Sequence, residues 1–528
     1  MVDGQQRLTT LQLLLRGVLD ALEEVEVSNK TKAQVRRLVM NDVEVVREDE
    51  ILKLAPRRAE EDQFRLAMGA KPPSADESKF ADARGFFRQN AMDFLADDSV
   101  PEDPYTPDGG PDARASLLVA ALLGLMKIVV IDLEDVDDAQ VIFEALNARN
   151  TPLSATDLVK NLLFMRAEKQ DHDSEGLYES LWKRFDDDSA WWLESVGTGH
   201  AQRARQDWLL GDWLIAQRGR SINVGRLYGE FRRWLDDSKA DPRDALSTLN
   251  QYADAYEAFN NRRRGASPRE SEAFKLIERL NITAVMPLML WLLVQPADHL
   301  PPAERERAVL AIESFVIRRM AAKYQTRAYG QIFVDVLKEA KAASEHPGQA
   351  VIEALRKRSG YGWPRFEDLT QAFMENRYYG SGGLGQDRLR ILLGAIDRSL
   401  QSESPKSENI TVDYTSLEIE HILPQEWHKS WSVKIDDPAA RMRAEERRQQ
   451  SVNRIGNLTL VTKHLNPALS NSAWQVKRAE LGKHSKLQLN ARLQAYTDWD
   501  EDRIEERGRW LAEQMEKVWP GPTAKIWG

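Results

Sequence analysis

An apolar stripe with the period of an α-helix recurs along most of this chain, and it limits the folds that the chain can adopt. The first stripe consists of Leu8, Leu11, Leu14, Leu15, Val18, Leu19 and Leu22. Similar stripes occur at 116–126, 155–167, 274–296, 305–322 and 388–400. Apolar residues three and four positions apart lie on one face of a helix. The sequence therefore predicts cores that are built mainly between helices.

Strand-like sequence is scarce by comparison. The best candidates are KIVVIDL at 127–133, LEIEHIL at 417–423 and NLTLV at 457–461. Each is a short apolar or β-branched run with turn signals nearby, which is typical of a strand. The predicted fold class is therefore α+β, with helix predominating.

Segments rich in Pro, Gly, Ser or charge divide the chain. They lie at 97–113, 262–271, 377–387 and 402–411, and such composition is typical of loops. A chain of 528 residues has room for roughly three or four domains. We predict an N-terminal mixed domain at 1–170, a helical middle domain at 171–400 and a small mixed domain at 401–528.

The charge balance restricts how the chain can meet nucleic acid. Its net charge is −10, whereas a protein that binds nucleic acid with its whole surface is normally basic. Residues 441–486 hold ten Lys or Arg and three Glu, a local charge of +7. This segment is a candidate for a local DNA contact, and a solvated helix face is the alternative.

Cysteine is absent, which excludes disulfides, cysteine-ligated zinc and a cysteine nucleophile. The longest apolar run, AVMPLMLWLLV at 284–294, is too short to span a bilayer and indicates a buried helix. We expect a cytoplasmic protein with no membrane partner. The loop sequence GSGGLG at 380–385 follows a helical pattern, so it predicts a flexible loop and not a dinucleotide site, which needs a preceding strand.

Two clusters near the C-terminus carry the groups that phosphodiester hydrolysis requires. Glu420 and His421 are adjacent in the predicted strand at 417–423, and Asn457 begins the next strand. A histidine can activate water, and carboxylate or amide oxygens can hold Mg²⁺. Adjacent strand residues point to opposite faces, so a twist or bulge is needed to bring Glu420 and His421 to one site.

Asn466 and Pro467 follow the second predicted strand, and the pair is typical of a helix N-cap followed by a proline at the first helical position. Taken alone, these residues also fit a partly buried histidine with capping asparagines. His428 and His464 lie nearby in the sequence and are rival metal ligands.

Roughly residues 413–480 resemble the H-N-H, or His-metal-finger, nuclease motif. The resemblance is carried by the segments EHILPQ and NRIGNLTL, followed by N, SN, W and K. This stretch is most similar to the C-terminal domains of GmrSD-like modification-dependent restriction enzymes. The resemblance implies a ββα-metal domain with an Mg²⁺ or Mn²⁺ cofactor. It implies His421 as general base, Glu420 and Asn466 as metal ligands, Asn457 as orienting the histidine or bracing its loop, and Lys477 near the scissile phosphate. Many relatives carry Asp where this chain has Glu420.

The first residues of the chain carry a second cluster, Asp3, Gly4, Gln5, Gln6 and Arg7. Glycine lets a backbone approach a phosphate, arginine donates two hydrogen bonds to an anion, and aspartate can hold a metal-bound water. A helix start with two glutamines in solvent is the alternative.

The nine letters DGQQRLTTL at 3–11 are the same as a motif of GmrSD-like and SspE-type defence nucleases, where it lies in a ParB-like N-terminal domain. The resemblance implies that residues 3–7 bind GTP or another NTP, or sense modified DNA. The segment at 142–164 also resembles this family. Relatives have several dozen residues before the motif, so we expect a truncated ParB-like domain here with an incomplete nucleotide pocket.

The sequence as a whole predicts a metal-dependent DNA endonuclease, a nickase or double-strand cutter, of a restriction or antiphage defence system. Its expected partner is DNA, with modified phage DNA, a homo-oligomer and a defence-system protein as further candidates. A sensor of modified DNA without catalysis, an NTP-dependent switch that acts through a partner and an RNA-cleaving enzyme of the same class are the alternatives.

Overall fold

Helices make up most of the part of the chain that the computed structural model describes, as the apolar stripes predict. The described residues are 5–41, 51–54, 58–69, 78–96, 110–128, 154–197, 202–357, 362–403 and 411–528. Contacts between Cα atoms divide the chain into two units, Met1–Leu153 and Ser154–Gly528. The finer division at residues 170 and 400 stays a prediction.

The described residues of the first unit form helices, short connections and one isolated β-bridge between Met40 and Leu52. Its helices are α1 (Gln5–Glu24), α2 (Asn29–Val39), α3 (Arg58–Met68), α4 (Lys79–Ala96) and α5 (Pro111–Gly124). The predicted stripe on α1 provides much of the core, because Leu15, Val18, Leu19 and Leu22 are buried against α2 and α4. Most of the predicted strand at 127–133 lies outside the described residues.

A buried arginine joins α1 to α4. The Arg84 guanidinium donates to both carboxylate oxygens of Asp20, at 2.5 and 2.7 Å. The same guanidinium donates to the carbonyls of Ala67 and Gly69, each at 2.6 Å. A buried cation that is paired and fully hydrogen-bonded fixes the geometry of the elements that it joins. Arg84 therefore holds α4 against α1 and the end of α3.

The close approach of α1 to α4 depends on Gly17. A Cβ atom at Gly17 would lie 2.8 Å from the amide nitrogen of Arg88 and 2.9 Å from the carbonyl oxygen of Arg84. A Cβ atom at Gly85 on α4, in contrast, would have no heavy atom within 4 Å. The two glycines are therefore a matched pair, in which only Gly17 is required by packing.

We expect Gly17→Ala to destabilise the first unit by about 1–3 kcal/mol, because an extra methyl in a packed interface displaces backbone. Gly85→Ala should stabilise it by roughly 0.5–1 kcal/mol, because alanine has the higher helix propensity. Amide hydrogen exchange of the α1 and α4 peptides measures both effects. Equal protection in the two variants would contradict the assigned contact.

The second unit holds the remaining helices and two short sheets. The helices up to the last third of the chain are α6 (Ala155–Lys169), α7 (Ser174–Leu177), α8 (Lys183–Asp187), α9 (Ser189–Trp192), α10 (Arg205–Arg218), α11 (Leu227–Ser238), α12 (Pro242–Phe259), α13 (Pro268–Arg279), α14 (Met286–Val294), α15 (Pro302–Ala321), α16 (Tyr329–Ala342), α17 (Pro347–Arg356) and α18 (Phe366–Glu375). After them come α19 (Gln386–Ser402), α20 (Pro438–Ser451), α21 (Asn466–Leu469), α22 (Trp474–His484), α23 (Gln488–Ala491) and α24 (Glu501–Val518). The strands are β1 (Ser195–Val196), β2 (Arg203–Ala204), β3 (Glu418–His421) and β4 (Leu458–Val461).

Local signals explain where several of these helices begin. Ser154 and Asp157 form a capping box at the start of α6, and Ser267 and Glu270 form another at α13. In such a box each side chain bonds to the backbone amide of the other residue, which satisfies donors that a helix start leaves open.

The helical pattern at 274–296 does not form one continuous helix. It contains the end of α13, a turn of 3₁₀-helix at Thr283–Val285 and then α14. Asn281 has a φ of 54°, a left-handed conformation that ends the first helix and that asparagine tolerates. α14 is buried on every side, from Met286 through Leu292, as its composition predicts. Among the described residues, no helix is long and apolar enough to cross a membrane.

The C-terminal part of the second unit has its own core, which includes Leu423, Trp427, Trp474, Trp499 and Ile504. α24 passes close to the turn before β4, where a Cβ atom at Gly456 would lie 2.0 Å from the carbonyl oxygen of Ile504. Only glycine fits at this contact. The fully buried Arg507 donates to the carbonyls of Gly456 and Leu458, each at 2.7 Å. α24 thus fixes the start of β4.

Candidate active site

The candidate site forms at the end of an antiparallel strand pair. β3 pairs with β4 in the register Glu418 to Val461, Ile419 to Leu460, Glu420 to Thr459 and His421 to Leu458. The register is continuous over these four pairs, so the bulge that we considered is not present in them. His421 is the last residue of β3, and both Glu420 and His421 line one polar cleft. The end of the strand, where the chain turns away, brings the two side chains to one site.

His421 is held by an asparagine that the sequence did not single out. Its Nε2 lies 3.1 Å from Oδ1 of Asn453. The Gln425 amide donates to the same Oδ1 at 3.2 Å, which supports the assignment of that atom as the oxygen. An oxygen can only accept, so Nε2 carries the proton and Nδ1 is the basic nitrogen. Burial lowers the pKa of His421 to about 4, which favours the neutral imidazole that a general base requires.

The glycine-rich loop at 377–385 packs beside this histidine. The Tyr379 ring meets the imidazole edge to face at a centroid distance of 4.6 Å. The Tyr378 backbone amide donates to the carbonyl of Asn453 at 2.7 Å, and the Tyr378 hydroxyl donates to the carbonyl of Ala321 at 2.6 Å. The loop that the sequence predicts to be flexible is therefore anchored, and its Tyr379 forms part of the setting of His421.

Glu420 forms a buried ion pair with Lys477. The Lys477 ammonium donates to Oε1 of Glu420 and to the carbonyl of His421, each at 2.6 Å. Lys477 is fully buried and Glu420 is 8 % exposed. Burial raises the pKa of Glu420 and lowers the pKa of Lys477, and in each case the partner's charge acts in the opposite direction. Lys477 thus orients Glu420 in this structure, and its place near a scissile phosphate stays a prediction.

Asn466 lies across the cleft from β3. Its Nδ2 donates to Oε2 of Glu418 at 2.6 Å, which leaves the amide oxygen as the atom that can ligate a metal. The predicted capping pattern is shifted by one residue, because Leu465 is the N-cap and Asn466 is the first residue of α21. Boundaries of short helices commonly move by one or two residues.

Asn457 braces the chain around the site and does not line the cleft. It is fully buried. Its Oδ1 accepts from the Leu423 amide at 2.7 Å and from the Trp499 indole at 3.1 Å. Its Nδ2 donates to the carbonyls of Leu423 and Val452, each at 2.8 Å. Its side chain therefore ties the loop that follows His421 to Val452 and Trp499, which fits the bracing alternative stated for it.

The cleft offers oxygen ligands of the kind that Mg²⁺ and Mn²⁺ prefer. Its lining includes Glu420, Asn466 and Ser470, which supply carboxylate, amide and hydroxyl oxygens. Within the described residues, no three His, Cys, Asp or Glu side chains form a metal-binding group. The donor set thus fits a hard cation that keeps several water ligands, as Mg²⁺ usually does, and Glu420 and the Asn466 amide are the groups that would hold it.

The two rival histidines lie apart from the cleft lining. His428 and His464 are both exposed, and neither is among the residues that line the cleft. His428 stacks on Trp427 at a centroid distance of 3.5 Å. These contacts favour His421 as the functional histidine of the region.

Much of the charge in the basic segment at 441–486 is neutralised within the protein. Arg447 pairs with Asp502 and Glu505, and Arg454 pairs with Glu505. Arg448 pairs with Glu501, and Lys477 pairs with Glu420. The acidic partners on α24 are distant in sequence, so the local charge of +7 overstates what is available to DNA.

The N-terminal motif lies partly outside the described residues. Asp3 and Gly4 belong to the part that is not described, and the side chains of Gln5 and Gln6 are also outside it. Gln5 begins α1, and Arg7 is an exposed residue in its first turn. The predicted roles of residues 3–7 stay predictions.

Comparison with known families gives two matches. The family described as GmrSD restriction endonuclease, N-terminal domain, matches residues 1–164. The family described as GmrSD restriction endonucleases, C-terminal domain, matches residues 363–514. The second range contains the whole cleft and the loop beside His421. A search of curated proteins finds no match to the chain.

Proposed function

The chain belongs to the GmrSD restriction endonucleases, and we propose that its C-terminal part is an H-N-H nuclease that hydrolyses phosphodiester bonds of DNA with Mg²⁺ or Mn²⁺. One observation supports this most strongly. His421, Glu420 and Asn466 come from two separate segments of the chain and line the same open, polar cleft. A base, a carboxylate and an amide oxygen in one cleft are the groups that metal-assisted hydrolysis needs.

His421 acts as the base in this proposal. With Nε2 held by Asn453, Nδ1 accepts the proton of the attacking water, and the imidazolium that forms gives its proton to bulk solvent. The neutral resting state follows from burial of the ring. Gln425 donates to the same Asn453 oxygen, so the histidine is oriented through a short chain of side chains.

Glu420 and Asn466 would hold the metal. When bound, the cation supplies a positive charge that stabilises the pentavalent phosphate and the leaving 3′-oxygen. Lys477 fixes the Glu420 carboxylate through one oxygen. Glu418 fixes the Asn466 amide through its nitrogen. Both ligand side chains are thus restrained by partners behind the cleft, which lowers the entropic cost of binding a metal.

Asn466→Ala tests the metal site. We expect a 10- to 100-fold increase in the metal concentration that gives half-maximal cleavage of a supercoiled plasmid, because one direct oxygen ligand is lost. Asn471→Ala is the control, since Asn471 lines the same cleft but its Nδ2 donates to Glu426 and we assign it no metal contact. Cleavage that persists in excess chelator, or equal metal dependence in both variants, would contradict the assignment.

The same assay separates the proposal from its alternatives. No cleavage of DNA or RNA with either metal would favour a sensor of modified DNA without catalysis. Cleavage of RNA alone would favour an RNase of the same class. Gel separation of nicked and linear plasmid distinguishes single-strand from double-strand cutting.

We also propose that the N-terminal unit senses DNA or gates the nuclease with GTP or another NTP. The match of residues 1–164 to the GmrSD N-terminal family and the motif at 3–11 support this. Addition of GTP or ATP to the plasmid assay, with unmodified and modified DNA, tests it. A cleavage rate that responds to neither nucleotide nor modification would contradict the gate and leave the nuclease assignment intact.

A further inference from the structure

A cavity among the helices of the second unit has no role in the proposed nuclease. It has a volume of about 200 Å³, below the range of sites for drug-sized molecules, so it has room only for a small ligand such as a single ring system. It lies where α10, α12 and α13 meet the strand pair β1 and β2. Its walls include Trp208, Tyr256, Phe259, Ile277, Thr283 and Met286. The site therefore has a largely apolar and aromatic lining.

A buried carboxyl group is among the polar groups of this lining. Asp212 on α10 lies against the cavity and is 4 % exposed. Its Oδ2 is buried and has no hydrogen-bond partner in the described structure. Burial raises the pKa of Asp212 well above its usual range. A buried polar group without a partner is costly and rare, so this carboxyl indicates a ligand that supplies the missing hydrogen bonds.

The arginine beside the cavity is not the partner of Asp212. The Arg205 guanidinium donates to Oε2 of Glu194 at 2.6 Å and to the carbonyl of Trp191 at 2.9 Å. It also stacks on the Trp191 ring at 4.4 Å. The charge of Arg205 is therefore engaged by Glu194, and burial alone accounts for the raised pKa of Asp212.

The chemistry of the lining selects among ligand classes. A phosphate or other anion is disfavoured, because Asp212 and Glu278 both line the cavity and Arg205 is already paired. A hydrocarbon would leave Asp212 without a partner. A sugar needs many polar contacts, and the walls are mostly apolar. A flat nitrogen heterocycle fits both the aromatic wall and the unpaired carboxyl group. Its faces stack on aromatic rings, and its N–H edge bonds to a carboxyl group.

We propose that this cavity binds a nucleobase, stacked against its aromatic wall with an N–H edge on Asp212. Two sources share this chemistry: a free nucleoside or nucleotide, and a base that has been extruded from DNA into the pocket. The proposal goes beyond the nuclease function, because none of the cavity residues belongs to the cleft around His421.

Binding is measured by isothermal titration calorimetry on the full chain with His421→Ala and without metal, so that nothing is cleaved. The probes are adenosine, cytidine, guanosine and thymidine, and homopolymeric single-stranded oligonucleotides of the same four bases. We expect at least one base to bind, and Asp212→Leu to weaken that binding by about tenfold or more, because a buried hydrogen bond is lost. Asp212→Asn keeps one donor and one acceptor and should bind within about threefold of the parent.

The thermal midpoint is the control for folding. Asp212→Leu removes an unpaired buried carboxyl, so its midpoint should equal or exceed that of the parent, and weaker binding then cannot be ascribed to unfolding. Trp208→Ala is a second variant, and we expect about tenfold weaker binding from the loss of a stacking surface.

Binding of nucleosides identifies the free ligand as the source, and binding of oligonucleotides alone identifies a base in DNA. Absence of binding by every probe, or equal affinity of the parent and Asp212→Leu, would overturn the proposal. Neither readout uses cleavage, so a failure of the nuclease assignment is seen separately, in the plasmid assay.

Discussion

Replacement of His421 by alanine is expected to lower the rate of plasmid cleavage by at least about 100-fold, because the variant has no base to accept the proton of the attacking water. The ring lines the polar cleft at the end of β3, and burial lowers its pKa to about 4, which favours the neutral form. The expected loss is in the rate of the chemical step. It is measured in single-turnover experiments, with the protein in excess over DNA and at saturating Mg²⁺ or Mn²⁺.

Two neighbouring histidines are matched controls for this experiment. His428 and His464 are exposed and lie in the same domain, so His428→Ala and His464→Ala should cleave at the parental rate. Asn453→Ala is an informative third variant. It removes the bond that orients the ring but keeps the base, so an intermediate rate is expected. If His421→Ala cleaves as fast as the parent, or if His428→Ala is the inactive variant, then the base has been assigned to the wrong residue.

Local sequence patterns predicted the helices and the two strands of the candidate site well. The stripe that starts at Leu8 became α1, the run at 388–400 became α19, and the strands at 417–423 and 457–461 became β3 and β4. These elements depend on periodicity and on turn signals, which are local properties of a chain. The two-residue strands β1 and β2 had no such pattern and were missed.

Features that depend on residues far apart in sequence could not be predicted in this way. Asn453 reaches His421 across 32 positions, and Tyr379 lies 42 positions before the histidine that it contacts. Asn453 begins the segment NRIGNLTL, which also contains Asn457. Nothing in the spacing of Asn453 shows whether it contacts the base or caps a helix. Only the path of the loop in three dimensions shows which residue meets the imidazole.

The charge that the basic segment at 441–486 presents to DNA could not be predicted from the sequence either. Its excess of Lys and Arg is a property of the sequence window, whereas the charge that DNA would meet depends on what packs against the window. α24 places Glu501, Asp502 and Glu505 beside the arginines of α20 and Arg454. Exposed cations outside these pairs, such as those of Arg441 and Lys463, are better candidates for phosphate contacts than the segment as a whole.

The ion pair between Lys477 and Glu420 is expected to produce the largest change in stability among the residues of the site. Lys477→Met should lower the free energy of unfolding of the C-terminal part by about 3–5 kcal/mol, because it leaves a buried carboxylate without its partner. Denaturant unfolding monitored by tryptophan fluorescence measures this, since all fifteen tryptophans lie in the second unit. Lys483→Met is the matched control: it changes an exposed lysine of the same helix, α22, and should be nearly neutral.

The double variant Glu420→Gln with Lys477→Met separates folding from catalysis. Removing both charges takes away the unpaired carboxylate, so most of the lost stability should return. Cleavage should not return, because Glu420 is also a proposed metal ligand and a neutral amide holds a divalent cation less strongly than a carboxylate. A double variant that is stable and active would show that Glu420 serves only to pair with Lys477. A double variant that is stable and inactive would show that the reaction needs the Glu420–Lys477 pair for more than folding.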